Sequence, residues 1–332
     1  MRRVRSGITP RTPHRQEFTK PDVQPEAMQV EAIQSEVSEM PEDAAVAALR
    51  ARLDAFAYRT VATRTGTVGY RCAGVANDTG LPVVMLHGIG SGAASWVAQL
   101  DATGLGAALY AWDAPGYGQT SNVADAEPHA DAYADALEAW LDALGLDRVA
   151  LVGHSLGAIM ATKFASQSPQ RVRGLFLCSP ANGYGRADVQ VRASKRDSRL
   201  AMLDKLGPAG MARERSDNLV APDAADLPRA WVKWNMARVL PDGYRQATHL
   251  LSNGDVAGDL AQYVAAHAGP VAVAVGAHDG ITPPAACEAI AEVAGVPLQI
   301  IDGAGHASYI ETPDVLNAAL AAWLGRVSAG AR

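Results

Sequence analysis

Cysteine is scarce in this chain, and the few present stand far apart. Cys72, Cys178 and Cys287 are the only three among 332 residues. They form no CxxC pair and their number is odd, which argues against a disulfide framework and against a zinc site. Three reduced thiols, partly packed in a core, fit best. A reducing compartment follows, so a cytoplasmic protein is expected. No run of about 18 apolar residues exists, and a membrane-spanning helix is excluded. Long basic runs are missing as well. With a net charge of −6 at pH 7, a nucleic-acid partner is not expected.

The opening "MRRVRSGITPRTPHRQ" is basic, but no apolar segment follows, so it does not read as a secretory signal. Glu17, Asp22, Glu26 and Glu31 argue against a transit peptide. Residues 1 to about 42 are polar, proline-punctuated and weakly periodic. They read as a disordered or loosely attached extension, with Met28 and Met40 as alternative starts.

What is present is a large apolar share, 48% of residues. That length and composition suit one large α/β domain, or a core with an inserted unit. Residues 43–57 read as a short helix. "YRTVATRTGTVGYRCAG" alternates and predicts an antiparallel hairpin. "LPVVMLHG" (81–88), "ALYAWDAPGYG" (108–118), "RVALVGHS" (148–155) and "VRGLFLCSP" (172–180) are continuous apolar runs that end in turn residues. Strands buried on both faces read this way. Between them, Tyr133, Leu137, Trp140, Leu141 and Leu144 recur at helix spacing.

The alternation stops after residue 180. Residues 181–265 are helix-like and contain no buried strand pattern. It resumes with "PVAVAVGAHDG" (270–280), a helix with Thr282 as N-cap and Pro283 at its first position, the strand "PLQIIDGAG", and a closing helix. Strands alternating with helices imply a mainly parallel sheet covered on both faces. The expected organisation is a core of residues 43–180 and 266–332, interrupted by a helical cap at 181–265, since that stretch is too long for a loop.

One short segment carries the chemistry. "LVGHSLGAI" (151–159) leaves a strand, passes through Gly153-His154-Ser155-Leu156-Gly157, and enters a helix. This matches G-x-S-x-G, in which glycines clear space around an exposed serine at a strand-to-helix turn. The following helix directs its N-terminus at the same point. A serine hydroxyl needs a base, and the order for this motif is serine, acid, histidine. Asp279 follows one late strand and His306 the next, 27 residues on. Both emerge at the sheet edge that carries the serine. Asp302 could replace Asp279 as the acid. His278, His249 and His267 are poorer bases by position, and His154 lies within the turn itself. Oxyanion donors are expected from the backbone N–H of Leu156 and of Ile89, the latter in "HGIGSGAASW", where Gly88 and Gly90 admit close approach. His87 is expected to brace that loop and Asp113 to cap the turn "DAPGYG".

Taken together, "HGIGSGAASW", "DAPGYG", "GHSLG", "GAHDGITPP" and "GAGHASYIETPDVLNAAL" resemble, in order and spacing, the α/β-hydrolase superfamily over about residues 58–328. The resemblance implies an eight-stranded, mainly parallel sheet, a Ser155–His306–Asp279 triad, and a helical cap over the site. Within the superfamily the chain looks most like the 3-oxoadipate enol-lactonase and small-molecule esterase group, although His154 departs from the lactonase pattern. The partners so implied are a small ester or lactone and water, with no cofactor and no metal; the oligomeric state is left open. Acyl transfer, perhydrolysis and carbon–carbon cleavage use the same triad. Trp96, Trp231 and Trp234, with Met236, are candidates to line a substrate pocket, as against packing cap helices on the core. Arg186, Arg192 and Arg238 are candidates to hold a substrate carboxylate, as against solvated surface charges.

Overall fold

The computed structural model describes residues 44–74 and 80–329; the reading of residues 1–42 lies outside them. Eight strands form one sheet: β1 (Arg59–Thr63), β2 (Gly66–Ala73), β3 (Val83–Leu86), β4 (Leu109–Trp112), β5 (Val149–His154), β6 (Val172–Cys178), β7 (Val271–Gly276) and β8 (Leu298–Ile301). Their order is β1-β2-β4-β3-β5-β6-β7-β8. β2 runs antiparallel to β1 and to β4, and every other neighbouring pair is parallel. The expected hairpin is β1–β2, paired from Arg59↔Tyr70 to Thr63↔Gly66.

The continuous apolar runs follow from burial on both faces. In β5, Val149 and Leu151 point into one core layer, and Ala150 and Val152 into the other. Helices α2 (Ala130–Ala143) and α3 (Leu156–Gln167) supply the first layer with Tyr133, Leu137, Trp140, Ile159 and Phe164. The closing helix, Pro313–Ala329, supplies the second with Leu316, Leu320 and Trp323. Helix α1 (Ala44–Asp54) packs Val46, Leu49 and Leu53 on Val97 and Trp231. Among the described residues no helix is long and apolar enough to cross a membrane.

Strand order places the site. The chain moves from β3 outward to β4, then returns to the other side of β3 as β5. The loops after β3 and β5 therefore diverge and leave a crevice at their carboxyl ends. Between β6 and β7 stand four helices, α4 (Val189–Arg215), α5 (Asp226–Met236), α6 (Pro241–Asn253) and α7 (Val256–Ala265). α4 is broken at Gly207 (φ 59°, ψ 177°), just before Pro208. α7 differs from the other three. It packs against α3 and against α8 (Pro284–Ala294), within the layer that flanks the sheet. Leu260 and Tyr263, three residues apart, give it an apolar face toward the core. α7 thus sits with the helices of the core, although it falls within residues 181–265.

Candidate active site

Ser155 occupies the joint between β5 and α3 with φ 52° and ψ −115°. L-residues seldom adopt that backbone, and such strain persists only where surrounding structure over-determines it. Here the surroundings are tight. A Cβ at Gly153 would lie 2.7 Å from the Gly157 carbonyl oxygen and 2.8 Å from Ala158 Cα. At Gly157 it would collide with the Leu86 carbonyl oxygen of β3. The Ser155 N–H donates to the Cys178 carbonyl at 3.1 Å, which fixes the turn to β6. Gly157→Ala is expected to destabilise the protein by about 3 kcal/mol or more, because backbone must move to admit the methyl group. Denaturant unfolding of the purified variant measures it, and a midpoint equal to the parent's would contradict the packing argument.

Asp279 and His306 meet at the ends of β7 and β8. His306 Nδ1 lies 2.9 Å from Asp279 Oδ2. Asp279 Oδ1 accepts the backbone N–H groups of Ile281 and Thr282, each at 2.8 Å. Burial pushes this carboxyl upward, but the facing His306 and the Thr282 donors outweigh it and hold it at about 2. It is then a pure acceptor, so His306 Nδ1 carries the proton and Nε2 is left with its lone pair. His306, 4% exposed, and Ser155, 6% exposed, open onto the same cavity.

Thr282 does not cap α8, as its place before the helix predicts. Pro283 stands at the N-cap and Pro284 begins the helix. The Thr282 hydroxyl turns inward instead. It donates to Asp279 Oδ2 at 2.9 Å, and lies 3.1 Å from the Ser179 carbonyl and 3.2 Å from His306 Nδ1. A carboxylate two to three residues upstream competes for this hydroxyl more strongly than a helix terminus does.

Two further histidines brace the site. His154 lines the cavity beside Ser155; its Nε2 donates to the His306 carbonyl at 2.9 Å, and its ring packs on His306 and Tyr309. Burial lowers it to about 3, so it stays neutral. A Cβ at Gly88 would press on His154 Nδ1 at 3.0 Å, so the loop after β3 approaches closely there. His87 bridges its own loop and the turn after β4. Its Nδ1–H donates to the Gly88 carbonyl at 2.8 Å, and its Nε2 accepts the Ala114 N–H at 3.0 Å. Burial lowers its pKa. Asp113 accepts the Ala93 N–H and the Tyr58 hydroxyl, each at 2.7 Å, which ties the turn to neighbouring loops. Tyr117 donates to the Ile89 carbonyl at 2.7 Å and fixes that peptide. Ile89 and Leu156 both line the cavity. Leu156 is the first residue of α3, where a backbone N–H has no acceptor within the helix.

The cavity measures about 250 Å3. Met211, Leu219, Val232, Met236, Tyr244 and Leu251 contribute to its cover, together with Arg199 and Arg215. The tryptophans lie elsewhere. Trp96 is fully buried against Tyr309, ring centres 4.4 Å apart. Trp231 is buried under α1 and stacks on Trp234 at 4.5 Å, and the Arg238 guanidinium covers Trp234 at 4.5 Å. Trp234 and Arg238 face a second cavity of about 300 Å3, which Asp113 and Tyr58 also line. The helix period of α5 accounts for this division. Val232, Asn235 and Met236 share the face toward Ser155, whereas Trp231 and Trp234 share the next. Arg186 is exposed and paired with Asp255 at 2.7 Å, and Arg192 does not line the Ser155 cavity. Local sequence carries no mark that separates Arg199 and Arg215 from the other arginines. Arg199 lies before the break in α4 and Arg215 after it, and both line the cavity.

The family model for the alpha/beta hydrolase fold matches residues 82–313. Among curated relatives, human (Lyso)-N-acylphosphatidylethanolamine lipase is 34% identical over 102 residues, 30% of this chain and 30% of the relative. Human 1-acylglycerol-3-phosphate O-acyltransferase ABHD5 is 35% identical over 109 residues, 32% of this chain and 31% of the relative. The chain thus spans about three tenths of the length of these relatives. Two solved structures share the fold. A thermophilic esterase from Thermogutta terrifontis superposes with a TM-score of 0.71 at 24% identity, over 82% of this chain and 99% of that one. The enol-lactonase from Burkholderia xenovorans LB400 gives 0.71 at 19%, over 80% and 100%.

Proposed function

The chain belongs to the alpha/beta hydrolase fold family, and from that premise we propose that it is a serine hydrolase that cleaves a small carboxylic ester or lactone through an acyl-enzyme on Ser155. The observation that carries this reading is the paired arrangement of a strained serine and a histidine in one cavity, the histidine held at Nδ1 by a fully ionised Asp279.

In the proposed reaction His306 Nε2 takes the hydroxyl proton as Ser155 Oγ attacks the carbonyl carbon. Asp279 keeps the imidazole in the required tautomer and stabilises its cation. The carbonyl oxygen becomes an oxyanion beside the Leu156 and Ile89 N–H groups. His306 then delivers the proton to the leaving oxygen, and the alcohol departs. Water, deprotonated by the same Nε2, attacks the acyl-enzyme and releases the acid, restoring Ser155. These steps draw only on protein groups and water.

A fluorophosphonate tests the reading without knowledge of the substrate. Mass spectrometry is expected to find the adduct on Ser155, and a folded protein that resists labelling there would refute the assignment. A panel of 4-nitrophenyl esters and simple lactones then sizes the acyl pocket. Transfer to an acceptor other than water is the alternative that the human acyltransferase relative favours; product analysis with competing alcohols separates the two.

Thr282 acts in this scheme as a positioning residue for Asp279. Thr282→Val is expected to lower kcat about 10-fold with KM little changed, since one hydrogen bond to a charged group is lost. Thr282→Ser should restore most of the rate. A rise in KM at constant kcat would place Thr282 at the substrate instead.

A further inference from the structure

Resting on the hydrolase reading, we propose that the Ser155 cavity selects esters bearing an anionic group, carboxylate or phosphate, held by Arg199 and Arg215. Arg199 and Arg215 both line this cavity, and no Asp or Glu does among the described residues. Both arginines are half-buried. Asp188, which caps α4, accepts the Gln190 N–H; within α4 Asp197 pairs with Arg196 and Asp204 with Arg245, and Glu214 does not line the cavity. Arg215 Nη1 lies 3.6 Å from the Met202 sulfur.

That contact seats Arg215 against Met202 of the first half of α4. The break at Gly207 lets the second half of α4 fold back along the first, so its last residue, Arg215, reaches Met202. Met202 lies three residues after Arg199, on the same helix face. Two like charges thus share one partly desolvated wall without a carboxylate between them among the described residues. An anion entering there is attracted by both charges. A guanidinium presents paired N–H donors that match the oxygens of a carboxylate or phosphate. The remaining cover, Met211, Leu219, Val232 and Leu251, is apolar and suits a short carbon chain between that anion and the carbonyl at Ser155.

Two substrate pairs locate the anion. On the acyl side, 4-nitrophenyl hemiadipate is compared with 4-nitrophenyl hexanoate. On the alcohol side, the butyrate ester of 2-hydroxyethyl phosphate is compared with ethyl butyrate. The charged member of at least one pair is expected to have the higher kcat/KM, by about 10- to 100-fold. The preference should shrink as salt rises. It should collapse in Arg199→Gln and in Arg215→Gln, and return in part with Arg199→Lys. Direct titration of both members into Ser155→Ala protein reads the same preference without turnover. A charged-to-neutral ratio near one in both pairs overturns the inference, as does a ratio that survives both glutamine variants. Ser155 labelling by fluorophosphonate with no anion preference discards this inference and leaves the hydrolase reading intact. Anion-selective binding to Ser155→Ala, with no labelling of the parent, does the reverse.

Discussion

Ser155→Ala is expected to lower kcat for any hydrolysed ester by at least about 10,000-fold and to abolish fluorophosphonate labelling. In the proposed reaction the nucleophile, the base and the acid act as a unit, so loss of the hydroxyl forfeits nearly all that the other two contribute. What survives reflects binding and oxyanion stabilisation alone. The fold should be untouched. The Ser155 side chain caps no backbone group of α3, and alanine is smaller than the residue it replaces. Thermal unfolding therefore serves as the control: an inactive variant with the parent's midpoint assigns the loss to chemistry. A variant that keeps more than about one hundredth of the parent rate would move the nucleophile to another residue.

Asp279→Asn is the second large effect, and its direction follows from which oxygen receives which donor. Asp279 Oδ1 accepts two backbone N–H groups, from Ile281 and Thr282. In the variant the amide oxygen must stay there, because an NH2 group would face two donors. The NH2 group then points at His306 Nδ1, where Oδ2 now lies at 2.9 Å. It donates to Nδ1 and drives the imidazole proton to Nε2. The nitrogen proposed as the base is thereby blocked, with little change in geometry. A fall in kcat of about 1,000- to 10,000-fold is expected, with KM nearly constant. The wild-type carboxyl, held at about 2, stays ionised across the ordinary working range of pH, so its own titration should not shape the pH–rate profile there. Asp279→Asn activity within about 10-fold of the parent would show that another acid, such as Asp302, orients the histidine.

Several elements were legible because their signals are local. Strands buried on both faces must be apolar, and β3 and β7 are throughout, as is β5 up to His154 at its end. A turn that packs backbone against backbone admits only glycine, and Gly153 and Gly157 mark it. The late placement of Asp279 and His306 follows from the alternation of strand and helix, which puts every strand end of one sense at one edge. These features also led to the α/β-hydrolase resemblance, which the match over residues 82–313 supports.

Other features depend on contacts between distant segments, and no window of sequence holds them. Thr282 reads as a helix cap until Asp279 and Ser179 are seen around its hydroxyl. α7 reads as one more helix of the insertion, yet it packs on α3. Trp96, Trp231 and Trp234 are as large and apolar as pocket residues need be, but burial against Tyr309 and α1, or stacking beneath Arg238, takes them away from Ser155. The arginines of the insertion are alike by composition. Arg199, before the break at Gly207, and Arg215, after it, both line the cavity, while Arg186 pairs outside it with Asp255. Sequence by itself determined the sheet and the glycine-flanked turn at Ser155, and from these the proposal of Asp279 and His306 as its partners, because backbone sterics and burial act over a few residues. Tertiary structure alone decided what surrounds the substrate, because a side chain's direction there is set by helices that meet only after folding.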